Sequence, residues 1–534
     1  MPTACPRGRA RAMRRIFTAL TLAAFILTTT GCATWQVQPL AKMSYPDYTL
    51  VRQDARFHLN DGRVVTMQVV EVDYPLVRGI AKWDELSADK TTPAPGRPLL
   101  EVDCRDVTKL EISRTHKAAA IAAVVTGVAV VAILIAVAAS NDDQHTSSSS
   151  QSSCPVLYVR DGDGDRLVGE PYAGAAAKSV RRRDLLPLPD LAGADPVRLR
   201  LANEARETQY TDTARLLVVD HAPGTRVVAT NDQEPLAVGA AASALTAVAL
   251  DGTDVAPLVA GADSLQWQTD LSACVDRPDF PLTEGVEATF APPAAGARPV
   301  LELTLGNTYW LDLVMNRFLA LLGDRFATGM ERAGRDSAGP RLRAWLTREG
   351  VDLTVAVKAA DGWREVGSVR PAGPLALRQV AVPLPTDVAT DSPLTVRVSG
   401  GSGFWRIDRL ALSTTDDSPL TCRRLAPVSA TDGTGADQRD LLAADDDRCQ
   451  ALAGIGDALD LSFAPPPVAP GLVRSAFFEA GGYYVAHQPR QAVRSLATFR
   501  TITDEPGALA RFSLDLYRGY CELARRAGPA GGSS

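Results

Sequence analysis

The stretch Val197–Asp220, VRLRLANEARETQYTDTARLLVVD, decides how the chain is read. Apolar residues alternate at both ends and a polar segment separates them, the pattern of two strands and an irregular connection. Leu394–Ser413, LTVRVSGGSGFWRIDRLALS, echoes it, with Arg409-Leu410 aligned on Arg215-Leu216. Further features then recur in the same order. Asp251-Gly252 precedes Phe290-Ala291-Pro292-Pro293, and Asp432-Gly433 precedes Phe463-Ala464-Pro465-Pro466. Each is followed by an apolar strand with aromatics, VLELTLGNTYWL and later RSAFFEAGGYYV. These matches predict a divergent duplication of a β-sandwich unit, at residues 154–310 and 341–500.

Between the units, residues 311–340 form an expected helical connection. Leu311, Val314, Met315, Phe318, Leu322, Phe326 and Met330 recur at helical spacing and predict one helix over Leu311–Arg332. A final helix is expected over Gly507–Arg525, after Pro506, in a C-terminal segment 501–534 that ends in a disordered tail. Upstream, Tyr48–Ser113 reads as short strands with a hairpin turn at Asp61-Gly62, predicting a small SH3-like or Sm-like barrel over residues 41–115. Residues 118–139, AAAIAAVVTGVAVVAILIAVAA, are long enough to span about 30 Å of hydrocarbon. They are expected to form a transmembrane or membrane-contact helix, followed by a Ser-rich linker at 140–153. The expected fold class is therefore mainly β: barrel, apolar helix, two duplicated jelly-roll-like sandwich units with an inserted helix, and a C-terminal helix.

Residues 1–31 read as a targeting signal, with Arg7, Arg9, Arg11, Arg14 and Arg15 before the apolar run Ile16–Leu27. Thr29-Thr30-Gly31-Cys32 resembles a bacterial lipoprotein cleavage box, which implies lipidation at Cys32. Membrane lipid is thus an expected partner, through Cys32 and residues 118–139. Arg114 and Lys117 flank the apolar run on the exported side, where positive charge opposes a return to the cytoplasm. The large C-terminal region is therefore expected to be periplasmic or surface-exposed, in a membrane-anchored protein of the cell envelope. A formal net charge of -6 argues against nucleic acid as a partner.

The pattern Val351–Ser413 resembles galactose-binding-like domains, on Asp361-Gly362-Trp363, Val382-Pro383-Leu384-Pro385 and Phe404-Trp405-Arg406-Ile407-Asp408. Residues 154–490 resemble a group of bacterial envelope lipoproteins, on Cys154-Pro155-Val156-Leu157-Tyr158, Glu170-Pro171-Tyr172-Ala173-Gly174 and Asn203-Glu204 with Glu207–Asp212. The second resemblance implies architecture and no reaction. The first implies loops at one end of a sandwich that meet ligands, with Trp363, Phe404 and Trp405 as sugar-stacking aromatics or as core.

Asp161, Asp163 and Asp165 alternate with glycines, which suits either a hard cation such as calcium or a hairpin turn. The glutamate that an EF-hand needs at the twelfth position is Tyr172 here. Asn203, Glu204, Glu207, Gln209, Tyr210, Thr211 and Asp212 form the densest polar cluster, either a ligand-binding loop or a hydrogen-bonded arch. The five histidines show no metal spacing, and neither GxSxG nor HExxH occurs. No cofactor is implied. Outside the signal and Cys32 there remain Cys104, Cys154, Cys274, Cys422, Cys449 and Cys521, of which Cys422 and Cys449 are the preferred disulfide pair. The expected function is a non-enzymatic binding or scaffold lipoprotein with an envelope protein or glycan partner. Carbohydrate binding or processing by the sandwich loops is the alternative.

Overall fold

The computed structural model describes residues 33–38, 54–73, 76–81, 99–103, 106–115, 154–161, 164–188, 196–263, 265–387, 392–487 and 494–526. Cys32, Cys104, Asp163, the run 118–139, the linker and the final eight residues lie outside them. The chain divides into two units, Met1–Ser150 and Gln151–Ser534, and it is mainly β. Among the described residues no helix is long and apolar enough to cross a membrane.

In the first unit, β1 (Ala33–Gln38), β2 (Asp54–Leu59), β3 (Val64–Asp73), β4 (Leu76–Ala81), β5 (Leu99–Asp103) and β6 (Val107–Thr115) form one antiparallel sheet. Its order is β1-β6-β2-β3-β4-β5. Strand alternation gathers Ala55, Phe57, Met67, Val69, Leu110 and Ile112 into one core. The β2–β3 hairpin turns at Asp61-Gly62, where Gly62 takes a φ of 86° and Asp61 accepts the Arg63 N–H at 3.0 Å.

The second unit opens with β7 (Val156–Asp161), β8 (Gly164–Gly169), β9 (Arg182–Pro187), β10 (Val197–Ala202) and β11 (Glu207–His221). A hairpin of β12 (Arg226–Ala229) and β13 (Pro235–Val238) follows. Next come β14 (Ala242–Ser243), β15 (Thr246–Ala249), β16 (Trp267–Gln268), β17 (Thr283–Phe290) and β18 (Pro299–Asn307). Helices α1 (Tyr309–Ala320), α2 (Phe326–Ala333) and α3 (Gly339–Arg348) lead to β19 (Leu353–Ala359), β20 (Gly362–Val369), β21 (Arg378–Pro383), β22 (Leu394–Gly401) and β23 (Trp405–Thr414). The last elements are β24 (Thr421–Leu425), β25 (Ser429–Asp432), β26 (Gln450–Leu452), β27 (Ala458–Phe463), β28 (Val473–Ala486), α4 (Leu496–Asp504) and α5 (Ala508–Arg526).

These strands pair crosswise between the two repeats. Strands β7–β11 assemble with β24–β28, giving sheets β25-β27-β10-β7-β8 and β24-β11-β28-β9, with β26 also on β11. Leu157, Leu199, Leu461 and Phe463 of one sheet meet Leu186, Leu216, Phe478 and Ala480 of the other in a single core. Strands β19–β23 assemble with β14–β18, giving β15-β17-β22-β19-β20 and β14-β23-β18-β21, with β16 also on β23. The sheets thus do not divide into one sandwich for 154–310 and another for 341–500. Each repeat gives its first five strands to one sheet pair and its last five to the other.

The two sheet pairs match residue by residue. Phe463 opposes Val197 as Phe290 opposes Leu394, and Leu157 opposes Leu201 as Val355 opposes Val398. A bulge after Leu157 in β7 repeats after Val355 in β19. Glu479 opposes Arg215 as Glu302 opposes Ala411, so Arg215 is equivalent to Ala411 and not to Arg409. Likewise Gly252, which donates its N–H to Ala249 O, is equivalent to Gly435, which donates to Asp432 O, and not to Gly433. Both alignments read from the sequence slip by two residues. A two-residue slip keeps every side chain on the same face of its strand, so alternation alone does not expose it.

The β12–β13 hairpin is wedged between the two sheet pairs. Val227 and Ala229 pack with Leu185, Leu217, Val219 and Phe477, while Val228 and Val238 pack with Val300 and Ala381. The same hairpin steers the chain after β23. Gly239 N–H donates to Thr414 O at 3.0 Å and Asp416 N–H to Ala237 O at 2.9 Å. The segment that would turn back on β23 is thereby held extended, and β24 joins β11 instead.

At the junction lies a buried ionic cluster. Asp184 on β9 receives Nε of Arg182 at 2.8 Å and Nη1 of Arg378 at 2.8 Å. Arg182 and Arg378 are equivalent positions of the two repeats, opposite Gly482 and Leu305 respectively. Tyr172 N–H also donates to Asp184, at 2.8 Å, and Arg182 to Pro371 O, at 3.0 Å. Burial alone would raise the Asp184 carboxyl, but the two guanidiniums outweigh it and hold it below the ordinary range.

Three further expectations change. The helix expected over Leu311–Arg332 breaks into α1 and α2 at Gly323, whose φ of 52° leaves the helical region. Helix α4 was not expected, whereas α5 matches the helix expected over Gly507–Arg525. Cys422 and Cys449 are both free, as are Cys274 and Cys521. Cys422 opposes Val219 while the neighbour of Cys449, Gln450, opposes Thr211, eight residues away on β11. At strand rise that is roughly 27 Å, far beyond disulfide reach.

Replacing Asp184 by alanine leaves two buried guanidiniums without their carboxylate. We expect a loss of about 3–5 kcal/mol in urea unfolding of the protein. A loss below about 1 kcal/mol would remove the cluster as a junction determinant.

Candidate functional site

The residues singled out from the sequence do not converge on one surface. Asp165 sits in the β7–β8 hairpin, exposed, and receives Nε of Arg160 at 2.9 Å. Asp161 opposes Gly164 as Ala359 opposes Gly362, and the two glycines share φ values of 136° and 134°. Asp161 and Asp165 therefore flank a turn equivalent to the one between Ala359 and Gly362, with Asp163 outside the described residues. Trp363 is equivalent to Asp165, and its ring is covered by the guanidinium of Arg397 at 4.0 Å. Arg397 is in turn held by Glu287 at 3.0 Å. Among the described residues no group of three His, Cys, Asp or Glu side chains could hold a metal ion.

Gln209 and Trp405 occupy equivalent positions, opposite Tyr484 and Asn307. Both are buried. In the second sheet pair, Trp405 and Phe404 fill the space because Gly400 and Gly401 carry no Cβ there; an added Cβ would lie 2.5 and 2.3 Å from their rings. The first pair has Asn203 and Glu204 at that end and fills it with amides. Asn203 Nδ2 donates to Glu207 O at 2.8 Å and Leu452 O at 3.0 Å, and Gln209 Nε2 to Glu207 Oε1 at 2.8 Å. Burial pushes the Glu207 carboxyl well above the ordinary range, and Asp312 and Glu170 add to it. Glu204 receives the Tyr158 hydroxyl at 2.5 Å. The polar cluster is largely an arch that satisfies its own backbone.

Tyr210 stacks on Tyr483 with ring centroids 4.7 Å apart, and Asp212 lies buried nearby. Burial raises the Asp212 carboxyl to about 6, helped by repulsion from and hydrogen bonding with Asp445. A proton bound more tightly in the folded than in the unfolded state stabilises at low pH and is lost as pH rises. Stability should therefore fall between about pH 4 and 7 by on the order of 1–2 kcal/mol through this group. In Asp212→Asn that part of the pH dependence should vanish in thermal melts across this range. An unchanged pH profile would contradict the assignment.

A concave feature of the second unit lies elsewhere. A cavity of about 1000 Å³ lies between helices α1–α4 and one end of the first sheet pair. It is lined mainly by apolar side chains. Met315 and Leu319 of α1, Met330 of α2, Leu342 and Leu346 of α3, and Leu496 and Phe499 of α4 line it from the helical side. Cys154, Ala173, Ala176, Ala177, Tyr484 and Ala486 line it from the sheet side.

Its helical wall is stiffened by an aromatic stack. Phe318 lies against Trp345 at 5.3 Å and Phe499 at 4.7 Å between centroids, and Trp345 Nε1 donates to Ile502 O at 3.0 Å. Helix α1 is capped by Thr308, whose hydroxyl accepts the Leu311 N–H at 3.3 Å. The buried Glu349 carboxylate, just past α3, accepts the Leu509 N–H of α5 at 2.9 Å and ties the last helix to the wall. Leu311, Val314 and Phe318 are buried while Met315 and Leu319 of the same helix are half-exposed toward the cavity. The sequence carried that signal: α1 is apolar over more than one face, more than a single buried stripe requires. No protein-family model matches the sequence, and no curated protein matches it.

Proposed function

We propose that this chain is a non-enzymatic binding protein of the bacterial cell envelope and that the helix-walled cavity is its ligand site. The single observation that carries the reading is the cavity itself. Ligand sites are concave, mostly apolar and about 300–1,000 Å³ in volume, and this one lies at the top of that range. Membrane anchoring, through lipid on Cys32 and through residues 118–139, is supported by the sequence of those segments. It would keep the second unit outside the cytoplasm, periplasmic or surface-exposed, close to a membrane and to envelope partners.

The galactose-binding-like resemblance is supported by the five-and-five strand pattern with its Asp361-Gly362 turn, and an SH3-like or Sm-like first unit by the one-sided core of its sheet. Glycan binding through Trp363 and Trp405 has less support, since one ring is covered by Arg397 and the other is buried. An envelope protein partner stays compatible with this reading.

The cavity reading is tested with 1-N-phenylnaphthylamine, which fluoresces in apolar surroundings. Saturable binding is expected, weakened about 10-fold or more in Ala344→Trp, which adds an indole to the wall at an exposed helix position. Unsaturable binding, or binding that Ala344→Trp leaves unchanged, would contradict it.

A further inference from the structure

We infer that the cavity takes an amphiphile with an acyl chain and an anionic head. The inference rests on the cavity reading above and adds the chemistry of its mouth. Five arginines line the cavity on its helical side, Arg325, Arg332, Arg341, Arg348 and Arg500, against two carboxylates, Asp312 and Asp504. The formal balance there is 5 − 2 = +3, in a chain whose net charge is -6. Two of the arginines are engaged. Arg341 reaches Asp504 at 3.2 Å, and Arg348 reaches Glu349 at 2.9 Å and Thr503 O at 2.9 Å.

The other three, Arg325, Arg332 and Arg500, are exposed and have no side-chain partner among the described residues. They come from the residue just before α2, the end of α2 and the middle of α4 respectively. Guanidiniums from two helices that line one cavity with no carboxylate paired to them suit carboxylate, phosphate or sulfate oxygens, which they bind with paired N–H groups. The same lining includes Met315, Leu319, Met330, Leu342 and Leu346, which offer contact to hydrocarbon and little to a sugar or peptide. A methylene occupies about as much space as a water molecule, roughly 30 Å³, so the volume suits one or two long acyl chains.

The test uses the purified full chain with 1-N-phenylnaphthylamine bound, and three displacing ligands that share a twelve-carbon chain below their micelle concentrations. Laurate is anionic, dodecyl maltoside neutral and dodecyltrimethylammonium cationic. Laurate should displace the probe at concentrations about 10-fold lower than dodecyl maltoside and lower still than the cationic ligand, and added salt should shrink the difference. Arg325→Gln/Arg332→Gln/Arg500→Gln should abolish the laurate preference and leave displacement by dodecyl maltoside unchanged, which also shows that the variant is folded. Dihexanoylphosphatidylglycerol run beside laurate separates a phospholipid from a free fatty acid as the source of chain and head, and displacement by either supports the inference. Equal displacement by all three heads would overturn the inference about the head and leave the cavity reading standing. A bound probe that no dodecyl ligand displaces would overturn the inference about the acyl chain and leave the cavity reading standing, whereas a probe that fails to bind would overturn both.

Discussion

Strand β11 has its partner more than 250 residues away, and the rest of the second unit depends on that pairing. From Glu207 opposite Ala486 to His221 opposite Val473, it forms the longest ladder among the described residues. Neither repeat holds both strands of such a ladder. Repeat one supplies β11 and repeat two supplies β28; in the other sheet pair, repeat one supplies β18 and repeat two β23. The first core, which joins Leu199 and Leu216 to Leu461 and Phe478, therefore cannot close until both repeats are present. High sequence separation of this kind costs loop-closure entropy and is expected to slow folding.

What selects the crossed arrangement sits at the junction. Ladder registers in the two sheet pairs are equivalent, so an uncrossed pairing would satisfy the same backbone hydrogen bonds. The difference comes from groups that exist only where the pairs meet. Asp184 accepts one arginine from each repeat, and the β12–β13 hairpin packs against both outer faces. On those faces Glu479 and Glu302 are equivalent buried carboxylates. Arg424 reaches the first at 2.6 Å, and Arg226 with Gln379 the second. Buried charges held this way contribute little net stability compared with apolar packing, but an arrangement that left them unpaired would cost several kcal/mol. Of these, the Asp184 cluster joins the two repeats and acts on the choice of partner more than on the depth of the fold, whereas Arg424–Glu479 and Arg226–Glu302 each lie within one repeat.

The same physics explains what could be read from the sequence. Alternation in VRLRLA and LTVRVS identifies β10 and β22 and the faces they bury, and the Phe-Ala-Pro-Pro repeat marks the ends of β17 and β27 at equivalent positions. Alternation says nothing of which copy a strand joins, because equivalent strands carry equivalent faces. Arg215 and Arg409 are alike in sequence context yet two residues out of register, and parity hides the slip. Helical spacing found α1 and α2 together; only the backbone at Gly323 separates them. Gln209 and Trp405 drew attention as ligand groups for opposite chemical reasons, one polar and one aromatic. They are the same position, filled by amides where Asn203 stands and by an indole where Gly400 stands. The cavity was the least legible feature, since its wall is assembled from α1, α2, α3 and α4, and from strand ends of both repeats.

The crossed pairing is tested most directly by cysteine cross-linking on the outer face of β10. Arg198 opposes Ser462 of repeat two, whereas an uncrossed repeat one would place Thr289 opposite it. Under mild oxidation, Arg198→Cys/Ser462→Cys should form a disulfide in the monomer, identified by peptide mass mapping, and Arg198→Cys/Thr289→Cys should not. Cross-linking of the 198/289 pair without the 198/462 pair would contradict the account.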